Sequence, residues 1–341
     1  MPITGGAGLR NRGIGASVTT RGPRCEDKNH EIAFEPMQLP STFTILTGLR
    51  IAASTASRIL PETQSVEIER WMRGFEEAKR LPSADGVIAS FGKSGRTWLR
   101  VLLSRYFAVK YGLPAGAIME FDDFNRQNSA IPILLFTHDN YLEDYTGKGG
   151  KFDNYGRSKV VLLVRDPRDT AVSQYFQWKH RMKPRKKLIN GYPTGDISVH
   201  DFITGEAAGI PKIIRFMNAW AADLERFSHL IVVRYEDLRV QTKPELARIL
   251  AFLGQSPSDA ALDDCVAYAS VENMRQIERE NSERGGANTR LKPGDASDPS
   301  SFKVRRAKVG GWRDYVTADE AEAIDLMVRE TLVPSYGYSR A

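Results

Sequence analysis

The sequence predicts an α/β fold: a P-loop-like three-layer α/β/α arrangement on a central parallel sheet, preceded by a helical extension. Three observations carry this reading. Short apolar runs alternate with helix-period segments from about residue 85 to 338. Residues 87–103 read as an apolar strand, a Gly/Lys/Ser/Thr loop and the start of an amphipathic helix. Lys93, His138, Arg165 and Tyr235 all fall just after strand-like runs, where open parallel sheets hold their ligands.

Residues 1–24 are rich in Gly, Arg, Ser and Thr and contain no acid, so the first 41 residues are expected to be a disordered tail. Ile45, Leu49, Ala52, Ala56 and Ile59 fall on one face of a helix over Thr42–Leu60, and Ile68, Trp71, Met72 and Phe75 repeat the pattern in a second. These two helices, within 42–84, are expected to pack on the main domain, 85–338. Strands are predicted at 86–90, 132–137, 159–164 and 230–234. A helix over Pro244–Leu253 has Thr242 and Glu245 as a capping box and Gly254 as its stop. Another begins near Ala318, with Thr317 and Glu320 as its box. The stretch 280–304 is polar and rich in Gly, Asn, Ser and Pro, and is expected to be a mobile lid that does not pack.

The loop after the first strand is the main chemical signal. Its backbone N–H groups and the following helix end suit an anion, with Lys93 adding a full charge. Ser94 and Thr97 supply hydroxyls, Gly92 and Gly95 allow close backbone approach, and Trp98 offers a face for a base. A Walker A loop, Gly-x4-Gly-Lys-Ser/Thr, would need glycine at position 87, which is Val87. The run Val160–Val164 is followed by Arg165 rather than by an acid that would help hold magnesium. Both points argue against Mg-ATP and for a differently charged nucleotide.

Four blocks then show a family likeness. Lys93-Ser94-Gly95-Arg96-Thr97-Trp98 resembles the phosphosulfate loop of the sulfotransferases that use 3′-phosphoadenosine 5′-phosphosulfate (PAPS), usually Pro-Lys-Ser-Gly-Thr-Thr-Trp. Arg165-Asp166-Pro167-Arg168-Asp169, with Ser173, is similar to their 3′-phosphate segment. Arg234-Tyr235-Glu236-Asp237-Leu238 resembles their Tyr-Glu-Asp turn. Arg305-Arg306-Ala307-Lys308-Val309-Gly310-Gly311-Trp312 resembles their late Arg-Lys-Gly-x-x-Gly-Asp-Trp segment. The blocks run in family order across Gly86–Tyr338. Departures are Gly92 for proline, Arg96 for threonine, Phe136 for a basic residue, Ala307 for glycine and Gly311 for aspartate.

The resemblance implies a soluble enzyme that moves a sulfuryl group from PAPS, in line, to an acceptor hydroxyl or amine. Lys93 would stabilise the leaving group, and His138, at the end of the second strand, would be the general base. Lys93, Ser94, Gly95, Arg96, Thr97, Trp98, Arg165, Ser173, Tyr235, Arg305, Arg306 and Ala307 would bind the nucleotide. No metal is implied by this chemistry. Cys25 and Cys265 have no metal-ligand spacing, and five scattered histidines define no zinc site.

The acceptor is read from weaker signals. The net charge of +6 suits anionic ligands. Lys179–Lys187 holds six Lys/Arg in nine residues; such a run is ordinarily a solvated loop, and otherwise meets an anionic acceptor or membrane surface. A small-molecule, carbohydrate or lipid-linked acceptor is expected, with no nucleic acid partner and a cytoplasmic location, because no apolar run approaches membrane-spanning length. Two rivals stand beside this reading: a P-loop nucleotide kinase or NTPase, and a basic module that binds polyanions without catalysis.

Overall fold

The computed structural model describes residues 41–283 and 291–339. All but the last residue of the expected tail lies outside that range. Four strands, β1 (Gly86–Ser90), β2 (Leu134–Thr137), β3 (Val160–Val164) and β4 (Leu230–Arg234), form one parallel sheet in the order β2-β1-β3-β4. The register sets Ile88 of β1 beside Phe136 and Val161, and Leu162 of β3 beside Val232. Each strand lies within two residues of its sequence-based position.

The apolar runs are continuous because both faces of the sheet are covered, as parallel sheets require. Val87, Ala89, Val160, Leu162 and Val164 enter one core with Trp178, Met217 and Trp220. The alternate residues Ile88, Val161, Leu163 and Val233 enter the other, with Leu99, Leu102, Phe107 and Ile249. This period-two division yields three layers, and because all pairings are parallel the four strand ends lie on one edge of the sheet. The chain leaves β1 for β2 and then crosses back over β1 to β3, so the connections diverge beside β1, the usual place for a ligand.

Helices cover both faces. Arg96–Tyr111 follows β1, Pro167–His180 follows β3 with Asp166 as its cap and Pro167 at its first turn, and Tyr235–Val240 follows β4. The expected capping box at Thr317 and Glu320 is present on the helix Ala318–Thr331. The one at Thr242 is not. That helix, Thr242–Phe252, begins earlier, with Gln241 as its cap and the Glu245 amide bonded to the Gln241 carbonyl, so Thr242 is already inside it. Gly254 ends it at φ 81°, a conformation that favours glycine.

The two N-terminal helices, Thr42–Ala56 and Glu62–Arg80, form; the second sets Trp71 and Phe75 against Tyr145 at 5.1 and 5.4 Å, but the first does not turn its apolar stripe inward. Ile45, Leu49 and Ile59 are exposed, and so are Ala52 and Ala56. Polar pairs join the helices instead: Thr47 and Arg50 reach the carboxylate of Glu76, each at 2.5 Å, and Ser57 meets Ser65 at 3.3 Å. Gly74 is where the second helix meets the main body; a Cβ there would stand 2.2 Å from the Tyr141 carbonyl oxygen. That close approach carries Glu77, one turn on, to the crevice. Among the described residues, no helix is long and apolar enough to cross a membrane.

Candidate active site

A cavity of about 530 Å³ opens at the strand ends. It is lined by Lys93, Gly95, Arg96, Thr97, Trp98, His138, Arg165, Ser173, Tyr235, Arg305, Arg306 and Ala307. Of the expected site residues only Ser94 is missing from this wall; it is 2 % exposed and faces the interior.

The loop holds its shape through two left-handed residues, Lys93 (φ 73°) and Gly95 (φ 98°). Gly95 also allows a close approach: a Cβ would lie 2.5 Å from the Tyr235 ring. Lys93, a non-glycine residue at positive φ, carries local strain of the kind that gathers at functional sites. Burial, then the charges of Arg181, Lys303 and Arg165, push its ammonium down to about 7, against the pull of Glu278. Burial and neighbouring positive charge both disfavour its charged form.

Arg165 leaves β3 beside this loop. Its guanidinium lies 4.3 Å from the centre of the Tyr235 ring and donates to the Lys93 carbonyl at 3.3 Å and to the Lys308 carbonyl at 3.4 Å. Its buried Nε has no hydrogen-bond partner among the described residues. An unmatched buried donor of this kind costs free energy unless a ligand meets it. Trp98 donates from its indole to the Ala269 carbonyl at 2.8 Å and packs edge-on to Tyr235, 6.0 Å between centres.

The late basic segment is held by buried carboxylates. Asp169 accepts from the amides of Gly310 (2.8 Å) and Trp312 (3.0 Å). Glu278, with no solvent exposure, accepts from the amides of Lys303 (2.7 Å) and Val304 (3.1 Å) and from Arg181 (3.2 Å). Arg181 also reaches the carbonyls of Ser301 and Lys292. Parts of 280–304 are therefore packed, against the expectation that the stretch is too polar to do so: Leu291, Pro293 and Ser301 are buried and hydrogen bonds hold 301–304, while 294–297 are exposed. Arg305 lies over the Phe176 ring at 3.7 Å and donates to Tyr315. Arg306 sits on the exposed rim, paired with Asp314 at 2.7 Å. Ala307 adopts φ 52°, the left-handed conformation that glycine would hold at less cost.

His138 follows β2. Its Nδ1 lies 2.9 Å from the Ser90 carbonyl, which fixes Nδ1 as the protonated nitrogen. Nε2 is then an acceptor, and Arg96 donates to it at 2.7 Å. Burial first, then the Arg96 charge, hold the imidazole well below its usual value, so it is neutral at physiological pH.

One acid in the cavity was not legible. Glu77, from the helix Glu62–Arg80, accepts from the Tyr155 hydroxyl at 2.9 Å; the same hydroxyl lies 3.0 Å from Asp139. Asp139 is bridged to Lys151 at 2.8 Å. Burial lifts the Glu77 carboxyl to about 6, with Asp139 adding to the rise and Thr137, Tyr155 and Arg96 opposing it. No motif marks Glu77. The basic run 179–187 likewise divides: Arg181 turns to Glu278, Arg185 to Glu69 at 2.9 Å, Lys187 to the Trp178 ring, and Lys186 into the cavity. It is no uniformly solvated loop, because two carboxylates draw its arginines inward.

Comparison with known proteins adds a family. Residues 155–334, just over half the chain, match the Sulfotransferase domain. Cytosolic sulfotransferase 5 of Arabidopsis thaliana is 21% identical over 282 residues, 76% of this chain and 82% of that one. Sulfotransferase 2A6 of Mus musculus is 25% identical over 177 residues, 52% and 57% of the two chains. Among solved structures, mouse sulfotransferase SULT7A1 complexed with PAP aligns with a TM-score of 0.50 at 20% identity, covering 76% of this chain and 90% of that one. Retinol dehydratase in complex with androsterone and inactive cofactor PAP aligns with a TM-score of 0.52 at 17% identity, covering 76% and 85%.

Proposed function

The chain belongs to the sulfotransferase family, and from that premise we propose that it moves a sulfuryl group from PAPS to the hydroxyl or amine of a small acceptor, with Lys93 and His138 as its catalytic residues. One observation carries the reading: Lys93, Arg165 and Arg305, the first amides of the helix Arg96–Tyr111 and a neutral His138 converge on one cavity. The partnerless buried Nε of Arg165 and the depressed Lys93 ammonium fit a nucleotide that carries phosphate on both its 3′ and 5′ sides. PAPS, when bound, supplies an activated sulfuryl group on a good leaving group.

The chain's residues then have separate tasks. The loop amides and Lys93 hold the 5′ side and neutralise charge there, and Arg165, Ser173 and Arg305 hold the 3′ phosphate. Trp98 and Tyr235 flank the base. His138 takes the acceptor's proton at Nε2, its ring oriented by the Ser90 carbonyl. Arg96 now occupies that lone pair. Its guanidinium must move off before His138 can act, and an anion on the loop favours the move by offering Arg96 a charged partner. We assign residues 85–338 to the catalytic domain and 42–84 to an extension that contributes Glu77. The cytosolic naming of the plant relative supports a cytoplasmic location.

The test is single-turnover sulfuryl transfer with a panel of hydroxyl acceptors. His138→Ala is expected to lower the rate by about 10²–10⁴, the usual share of a general base, with bisphosphate affinity retained. A rate within threefold of the parent would remove His138 from the mechanism.

A further inference from the structure

The nucleotide accounts for only part of the cavity's charge. Among the described residues, eleven Lys and Arg side chains line it, against two carboxylates, Glu77 and Asp169. Asp169 is committed to Arg165, at 3.6 Å, and to the Gly310 and Trp312 amides. Glu77 is held by Tyr155 and lifted toward its neutral form. The cations near β3, β4 and residues 303–308 face the expected nucleotide. Arg73, Lys186 and Lys212 do not: they come from the helices Glu62–Arg80, Pro184–Ile189 and Ile210–Ala221, on the side of His138.

These three line the cavity among polar groups. The Lys212 ammonium donates to the Asn190 carbonyl at 2.8 Å and the Ala207 carbonyl at 3.0 Å, and it makes no ion pair among the described residues. The Asn190 side chain accepts from the Tyr141 hydroxyl at 3.0 Å, and Arg73 stands 5.5 Å from the centre of the Tyr141 ring. Among the described residues, Arg73 shares its one carboxylate, Glu69, with Arg185, and its buried Nε has no hydrogen-bond partner. Lys186 lies near enough to His138 to help hold its imidazole neutral. From Lys212 the wall returns to the catalytic loop through Tyr192, 4.9 Å from the ammonium, and Gln174, which donates to the Tyr192 hydroxyl at 2.7 Å.

An apolar acceptor would leave the half-buried Lys212 ammonium without a counter-charge, a costly arrangement. An anionic group would meet a cation, an orphan guanidinium donor and a second ammonium together. Resting on the sulfotransfer reading above, we propose that the acceptor is a polar hydroxyl compound bearing its own phosphate or carboxylate, which Lys212, Arg73 and Lys186 bind while the hydroxyl meets His138. These are specificity-determining residues, and the burial that pushes Lys212 down to about 8 is the cost an anion would relieve.

The test uses matched acceptors: phenol, 4-hydroxybenzoate and 4-hydroxyphenyl phosphate, then glucose and glucose 6-phosphate. Sulfuryl transfer and thermal stabilisation are read on the full chain saturated with nucleotide. The charged member of each set is expected to show at least a tenfold higher kcat/KM. Lys212→Met should cut that preference at least tenfold, chiefly through KM, and Lys186→Met should repeat the direction should the first variant fold poorly. Equal or better use of the neutral members, or an equal effect of both variants on neutral and charged acceptors, overturns the inference. Where no probe is turned over, added stabilisation of the bisphosphate complex decides by the same ranking. Failure of adenosine 3′,5′-bisphosphate itself to bind, read before any acceptor is added, overturns the sulfotransfer reading and this inference with it.

Discussion

The two walls of the nucleotide side are held in opposite ways. The loop after β1 is fixed by local backbone geometry: two left-handed residues and a glycine pressed against Tyr235, all within a few positions of the strand. The segment 303–312 has no strand beneath it. Glu278 and Asp169 hold it, 25 and 141 residues away in sequence, by accepting its amides. A phosphate loop can thus be written in six consecutive residues, whereas its partner wall depends on buried carboxylates distant in the chain.

That contrast can be broken at the clamp. Glu278→Ala removes a carboxylate that satisfies two amides and Arg181, leaving a buried guanidinium short of its counter-charge; such losses cost about 3–5 kcal/mol. We expect a fall of that order in unfolding free energy by denaturant titration, and weaker bisphosphate binding even where the fold survives. Parent-like affinity in a folded variant would show that the segment needs no clamp.

The loop can be probed more gently through its proton. Lys93 is held down to about 7 when no anion faces it, and bound phosphates would raise it. At pH 8 the free ammonium is then mostly deprotonated and the bound one protonated, so binding takes up a proton, and affinity weakens as pH rises above 7. Calorimetry at pH 8 in two buffers of different ionisation enthalpy reads this uptake. Lys93→Met should abolish it; uptake that survives the substitution would assign the proton elsewhere.

The smallest expected effect is at Ala307. Its φ of 52° is a glycine conformation, so Ala307→Gly should raise stability by up to about 1 kcal/mol, offset in part by the greater freedom of the unfolded chain. A loss of stability would mean that the methyl group packs usefully.

The same division explains what the sequence made legible. Strands were readable because burial on both faces leaves unbroken apolar runs such as Val160–Val164. The loop was readable because its chemistry is contiguous. Glu77 and Glu278 were not, since neither belongs to a local pattern and each acts across a tertiary gap. The first N-terminal helix shows a sharper failure. Apolar periodicity selected Ile45, Leu49 and Ile59, yet the helices pack through Arg50, Ser57, Ser65 and Glu76, where ion pairs and hydrogen bonds replace the apolar stripe. Arg306, expected with Arg305 from the late basic block, lines the cavity and is paired with Asp314 at its rim. The family model matches residues 155–334, and Lys93 and His138 lie before them, brought to the cavity by β1 and β2.

The most direct measurement is thermal stabilisation by adenosine 3′,5′-bisphosphate, beside ADP and ATP with and without magnesium. A ligand that binds only the folded state adds about 2.7 kcal/mol at a hundredfold excess over its Kd. The account predicts strong, magnesium-independent stabilisation by the bisphosphate and little by ADP, which lacks the 3′ phosphate that Arg165 and Arg305 would hold. Preference for magnesium-ATP, or equal response to ADP, would contradict it.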